Sequence, residues 1–235
     1  MVAPVRPQPD LPNPVAAWRV APPACPTLRM RRICLVFARA PRLGAVKRRL
    51  ARDLGDRAAL RFHTGTTMRL LRALAADRRF ATMLAQTPDP PRARWHVPVP
   101  RIGQGRGDLG ARMERACARF PHAQVVIVGS DIPRLGASDV AAAFRALGTS
   151  QAVFGPATDG GYYLVGFGPR RVSRPFAGVR WSTPYALADT LACQRGPVRL
   201  LRALRDVDTA ADYSTARPGK IGNSARRSRS ALQQR

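Results

Sequence analysis

Val125-Val126-Ile127-Val128-Gly129-Ser130-Asp131 is the stretch on which the fold turns. Four β-branched residues in a row suit the pleated backbone of a strand. A run without polar alternation is apolar on both faces, and such strands belong to sheets covered on both sides. The run stops at Gly129, and a carboxylate follows two positions later. In open α/β sheets ligands bind beyond the carboxyl ends of the strands, so Asp131 stands where chemistry is expected.

Outward from this strand the pattern alternates. Ile33 to Ala38 reads as another strand buried on both faces, followed by helices over about 45–54 and 56–76, the second with Leu60, Thr67, Leu71 and Leu74 on one side. Phe80 to Ala85 is a strand, and Trp95 to Val99 is expected to form a short third one after the break at Pro88-Asp89-Pro90-Pro91. A helix over Asp108 to Phe120 leads into the Val125 strand. A helix from Ser138 to Leu147 follows it, with Ser138 as N-cap. Strands at Ala152–Phe154 and Tyr162–Phe167, a helix near Pro184–Cys193 and a strand near Val198–Leu204 complete the order. This alternation predicts one three-layer α/β domain with a mainly parallel sheet.

The ends read differently. Residues 1–28 hold eight prolines and no hydrophobic period, which predicts a disordered Pro-rich extension, with Met30 opening a tidier frame. The domain is expected over 29–216, and 217–235, with six basic and no acidic residues, as a flexible basic tail. The apolar runs are too short to span a bilayer, and the one after Met30 is too short for a secretory signal, so a cytoplasmic location is expected.

The net charge of +26 suggests nucleic acid, but the basic residues are nearly all arginine, with Lys47 and Lys220 the only lysines. They are scattered rather than gathered in a stripe with interleaved aromatics, so nucleic acid is not the expected partner. A non-catalytic nucleic-acid binder remains the competing class, and salt-sensitive RNA retention is its mark. Cys34 and Cys117 read as small core residues, and His63, His96 and His122 form no cluster. A metal here must be held by carboxylates, which selects a hard divalent cation such as magnesium or manganese.

Asp131, Asp159, Asp206 and Asp208 all fall where strands end or begin. They could converge on one cation or serve as turn and cap residues. The segment from Ala38 to Leu50 leaves the first strand and opens a helix. There Gly44 would allow close backbone approach, and Lys47 and Arg49 would face phosphate, unless this is a solvated basic face. Gly105-Arg106-Gly107-Asp108-Leu109-Gly110 matches a dinucleotide fingerprint, but Pro98 and Pro100 before it make a poor central strand.

Phe37-Ala38-Arg39-Ala40-Pro41, Gly44, Val46-Lys47, Arg49-Leu50, Gly107-Asp108-Leu109-Gly110, Arg112-Met113, Gly129-Ser130-Asp131-Ile132-Pro133, Gly155-Pro156, Asp159-Gly160-Gly161-Tyr162-Tyr163-Leu164, Trp181-Ser182-Thr183 and Asp206-Val207-Asp208-Thr209 follow in order. This set resembles the bacterial transferase family DUF2064, also called radical-SAM/selenodomain-associated transferase 1, with some members linked to arsenosugar biosynthesis. More distantly it is similar to 2-phospholactate and molybdenum-cofactor guanylyltransferases. The resemblance covers about Arg32 to Asp212.

The resemblance implies a type-A glycosyltransferase-like fold and a metal-dependent transferase with a nucleotide-diphosphate donor and a small-molecule acceptor. Glycosyl transfer is the first expectation; nucleotidyl transfer with release of pyrophosphate is the alternative. Asp131 would bind metal, with Asp208 as a second carboxylate. Lys47 and Arg49 would face the donor phosphates, and Asp108 and Arg112 would touch the nucleotide or order the loop over it. Asp159 would serve as base, with Gly160, Gly161 and Tyr162 on the acceptor or sugar side. Trp181 could stack on a ring or sit in the core. Where relatives carry Lys-Thr-Arg this chain has Lys47-Arg48-Arg49, one hydroxyl fewer.

Overall fold

The computed structural model describes residues 31–91, 93, 95–207 and 212–214. The expected N-terminal extension, the basic tail and Asp208 lie outside the described residues. Among the described residues, seven strands form one sheet in the order β3-β2-β1-β4-β6-β5-β7. They are β1 (Arg31–Arg39), β2 (Ala81–Thr87), β3 (Arg101–Gly103), β4 (Ala123–Gly129), β5 (Ala152–Pro156), β6 (Tyr162–Phe167) and β7 (Val198–Leu200). The helices are α1 (Arg48–Leu54), α2 (Asp56–Ala75), α3 (Leu109–Ala118), α4 (Ala137–Ala146) and α5 (Ala186–Ala192).

Strand periodicity explains the layers. Successive side chains leave a strand on opposite faces. Cys34, Val36 and Ala38 of β1 and Val126 and Val128 of β4 therefore share one core with Leu70, Leu71 and Leu74 of α2 and Val140 and Phe144 of α4. Ile33, Leu35, Val125 and Ile127, one residue out of phase, share the other with Met113 and Cys117 of α3 and Ala186 of α5. The result is the expected three-layer α/β domain. Among the described residues no helix is long and apolar enough to cross a membrane.

The sheet has two halves. From β3 to β4 every pairing is parallel. β6 then runs against both β4 and β5, while β7 lies parallel to β5. Val128 of β4 pairs with Leu164 and Pro156 of β5 with Tyr162, so the carboxyl ends of β4 and β5 and the beginning of β6 share one edge. The turn from Ala157 to Gly161 lies at that edge.

Several expected boundaries move. The third strand is Arg101–Gly103, not Trp95–Val99. Pro98 and Pro100 lack the N–H that a ladder needs, and Trp95 is instead buried, donating its indole N–H to Gln86 Oε1 at 2.7 Å. Helix α4 is capped at Gly136 rather than Ser138, with the Gly136 N–H given to Asp139 Oδ2 at 3.0 Å. The buried face of α2 runs through Ala59, His63, Thr66, Thr67, Leu70, Leu71 and Leu74, leaving Leu60 only half-buried. The last strand stops at Leu200, and Leu204 makes only an isolated bridge to Ala157. The first helix begins at Arg48, because Lys47 turns left-handed.

Candidate active site

Residues after β1 and β4 meet at the shared edge. Lys47 has φ 47° and ψ 50°. Non-glycine residues rarely adopt this conformation, and it gathers at functional positions. It turns the Lys47 side chain toward the end of β4, where Nζ donates to Asp131 Oδ2 at 2.8 Å, across 84 residues of sequence. The lysine side chain is 8% exposed and the aspartate 38%, so the carboxylate faces solvent and the ammonium does not. At Gly129 an added Cβ would lie 3.2 Å from Asp131 Oδ1, so the glycine leaves room for the carboxylate to fold back over the strand end.

A hollow of about 730 Å³ opens over this pair. Arg39, Lys47, Arg48, Arg49 and Arg112 line it against two carboxylates, Asp108 and Asp131. Arg48 adds a further cation to this wall. Asp108 caps α3, its Oδ1 accepting the Ala111 N–H at 2.8 Å, and Arg112 Nε donates to Gly107 O at 2.9 Å. Both side chains therefore shape the loop while lining the hollow. Gly44, at φ 71° in the preceding turn, is not among the lining residues.

A second hollow, about 560 Å³, adjoins the first and shares Arg49, Asp131, Trp181 and Ser182 with it. Asp159, Gly161, Tyr162 and Asp206 complete much of its wall. Asp159 Oδ1 accepts the Gly161 N–H at 2.9 Å, which fixes the turn before β6. Gly160 stays out of the wall, because its φ of 86° folds it against the backbone carbonyl of Pro184. Trp181 is partly buried, edge-on to Tyr162 at 6.3 Å between centroids, and lines both hollows. Burial pushes the Tyr162 hydroxyl well above its ordinary pKa.

Three wall residues had been given no role from the sequence. His63 lies on the wall of the first hollow, Nε2 hydrogen-bonded to Arg39 O at 3.0 Å, and burial lowers its pKa. Its only signal was helical phase: it falls one turn after Ala59 and one before Thr67. Gln104 is buried there, donating to Ala85 O at 2.8 Å. Ser182, at φ 62°, lines both hollows, and its place in the Trp181-Ser182-Thr183 motif was the signal that could have found it.

A hard divalent cation asks for oxygen donors. Asp131 at the junction and Asp206 on the adjoining wall are of that kind. Among the described residues no three His, Cys, Asp or Glu side chains gather to hold an ion by themselves. The donor chemistry fits an ion that completes its shell with phosphate oxygens and water.

The arrangement of sheet and edge is that of type-A glycosyltransferase-like proteins. The family model described as "uncharacterized protein conserved in bacteria (DUF2064)" matches residues 66–183, half of the chain, and the chain belongs to that family. A protein of Desulfovibrio desulfuricans G20, provisionally described as a nucleotide-diphospho-sugar transferase, is similar at 29% identity and a TM-score of 0.75, over 85% of this chain and 91% of its own. A 4-diphosphocytidyl-2C-methyl-D-erythritol synthase from Anaerococcus prevotii DSM 20548 shares the fold at 9% identity and a TM-score of 0.51, over 80% of this chain and 96% of its own. No curated protein matches the chain.

Proposed function

We propose that this protein is a metal-dependent transferase that binds a nucleotide diphosphate donor in the cationic hollow and a small hydroxylated acceptor in the adjoining one. The Lys47–Asp131 contact at the junction carries the reading: it joins the basic loop after β1 to the carboxylate after β4 at the point where the hollows meet. The likeness to the Desulfovibrio protein supports glycosyl transfer as the reaction.

In this reading Lys47, Arg49 and Arg112 bind the diphosphate through charge-assisted hydrogen bonds. The acceptor oxygen bonds to the anomeric carbon as the bond from that carbon to the diphosphate oxygen breaks. The electron pair leaves on the diphosphate, where Lys47 and Arg49 stabilise it, and Asp159 takes the acceptor proton. Asp131, with Asp206 or Asp208, would hold a divalent cation, which when bound neutralises diphosphate charge.

Titration calorimetry of nucleoside diphosphates with manganese tests the reading. Asp131→Ala should lose the metal-dependent part of binding and keep its circular dichroism; unaltered affinity overturns the assignment. The fold shared with the cytidylyl-transferring synthase keeps nucleotidyl transfer as a second reading. Chromatography of the products separates the two, since glycosyl transfer leaves a nucleoside diphosphate and nucleotidyl transfer leaves pyrophosphate.

A further inference from the structure

We infer that Gln104 selects a donor whose base carries an exocyclic amine (cytosine, adenine or guanine) and refuses uracil and thymine. The inference rests on the transferase reading above and concerns the end of the first hollow far from Lys47. A diphosphate held at the junction with the second hollow directs its nucleoside the other way, toward the ends of β1, β2 and β3, where Arg39, Thr87 and Gln104 line the wall. In the order β3-β2-β1-β4, three strand spacings separate the end of β3 from that of β4, roughly 14 Å across the sheet. That suits the reach from a diphosphate to the far edge of its base.

Gln104 is fixed in place and 4% exposed. Its backbone N–H goes to Gln86 O at 3.1 Å, and its carbonyl accepts from Arg115 Nη1 at 2.9 Å. Its side-chain Nε2 lies between two backbone oxygens of the sheet, Ala85 O at 2.8 Å and Ala38 O at 3.4 Å. An amide nitrogen has two hydrogens, and both are committed. The group cannot flip without setting its own oxygen against those two carbonyls. What it turns to the hollow is therefore Oε1, an acceptor and not a donor. Asp108, on the same loop and the same wall, is an acceptor as well.

An acceptor held this way needs an N–H from the ligand, because a buried oxygen without one stays desolvated and unpaired. An exocyclic amine projects its hydrogens clear of the ring. Uracil, thymine and hypoxanthine carry a keto oxygen instead, and their ring N–H sits beside it, so the amide oxygen meets lone pairs on either approach. That is the repulsive element which discrimination needs. Arg39 and Thr87 do not undo it. Arg39 is exposed and can swing into water, while the Thr87 hydroxyl can donate or accept. Only the pinned amide has one sense.

Calorimetry on the full chain with manganese tests this, using the diphosphates of cytidine, uridine, adenosine, guanosine and inosine, and pyrophosphate, which has no base. Cytidine differs from uridine, and adenosine from inosine, in an amine against a keto oxygen; guanosine differs from inosine by the amine alone. The tightest amine-bearing nucleotide should bind at least about ten-fold more strongly than its keto counterpart. Gln104→Met should abolish that preference while leaving pyrophosphate affinity unchanged; if this variant does not fold, the series on the parent protein decides by itself. Uridine or inosine diphosphate binding as tightly as the amine-bearing nucleotides, or a preference that survives Gln104→Met, overturns the inference. A chain that binds neither the nucleotides nor pyrophosphate fails the transferase reading instead.

Discussion

The two halves of the sheet meet the same edge with opposite chemistry. In the half from β3 to β4 all strands run one way, so the edge receives the carboxyl ends of all four and the loops that follow them, and the hollow above them is walled by Arg39, Lys47, Arg48, Arg49 and Arg112. In the half from β6 to β7 one strand is reversed, so the edge receives a tight hairpin turn instead, presenting Asp159 and Gly161. A parallel pair cannot be closed by a short turn, whereas an antiparallel pair can. Reversal of one strand therefore delivers a carboxylate on a short, fixed turn beside a cationic hollow, without an intervening helix.

The largest effect is expected at Lys47. Replacing it with Met should weaken nucleoside-diphosphate binding roughly 100-fold, as expected for losing a charge-assisted contact in a mostly desolvated site, while ligands of the adjoining hollow bind as before. Calorimetry on both sides decides; a matched loss in both would show that the halves do not act separately. The same variant should fold normally, because the Asp131 carboxylate left behind is 38% exposed and can take water.

Gly160→Ala attacks the other half. At φ 86° a side chain is strained, and the new Cβ would press on the Pro184 backbone carbonyl. A cost of about 3 kcal/mol is expected, which for a domain of this size lowers Tm by roughly 6–12 °C. Nucleotide affinity of the folded fraction should persist. A thermal melt matching that of the parent protein would contradict the packing of the turn against residue 184.

Asp131→Asn removes one counter-charge of an ammonium only 8% exposed. It should therefore cost more stability than Lys47→Met, by about 1–2 kcal/mol. Urea denaturation of the two variants side by side measures this difference, and the reverse order would refute the burial argument. The smallest effect is at His63. Burial holds its pKa below 6.5 in the folded chain, so the unfolded chain takes up the proton first on acidification. Stability is complete above about pH 6.5 and falls below it until the folded pKa is passed. Tm should decline between about pH 7 and 5 in the parent protein and less in His63→Gln.

Much of this architecture was legible in the residues because apolar periodicity is local. Ile33 to Ala38 and Val125 to Val128 could only be buried strands, and they are the two paired at the centre of the sheet. The order of helices followed for the same reason. The edge strand was misplaced because Trp95 to Val99 looks apolar enough, while the prolines that forbid pairing there move the ladder to Arg101–Gly103. Ser138 resembled a cap, yet Asp139 reaches back to Gly136 and starts the helix earlier. The reversal of β6 had no local signature, since an apolar strand reads alike in either direction.

Of the site, the residues in order already held the ingredients: carboxylates where strands end, a lone domain lysine in a basic loop, and glycines at the turns. It took the packed sheet to bring Lys47 and Asp131, 84 residues apart, within 2.8 Å, and to set Asp159 and Asp206 along the adjoining hollow. The physical reason is range. Periodicity and turn chemistry act over a few neighbouring residues, whereas the charge around a cavity is set by which distant chain segments the packed sheet brings to one edge.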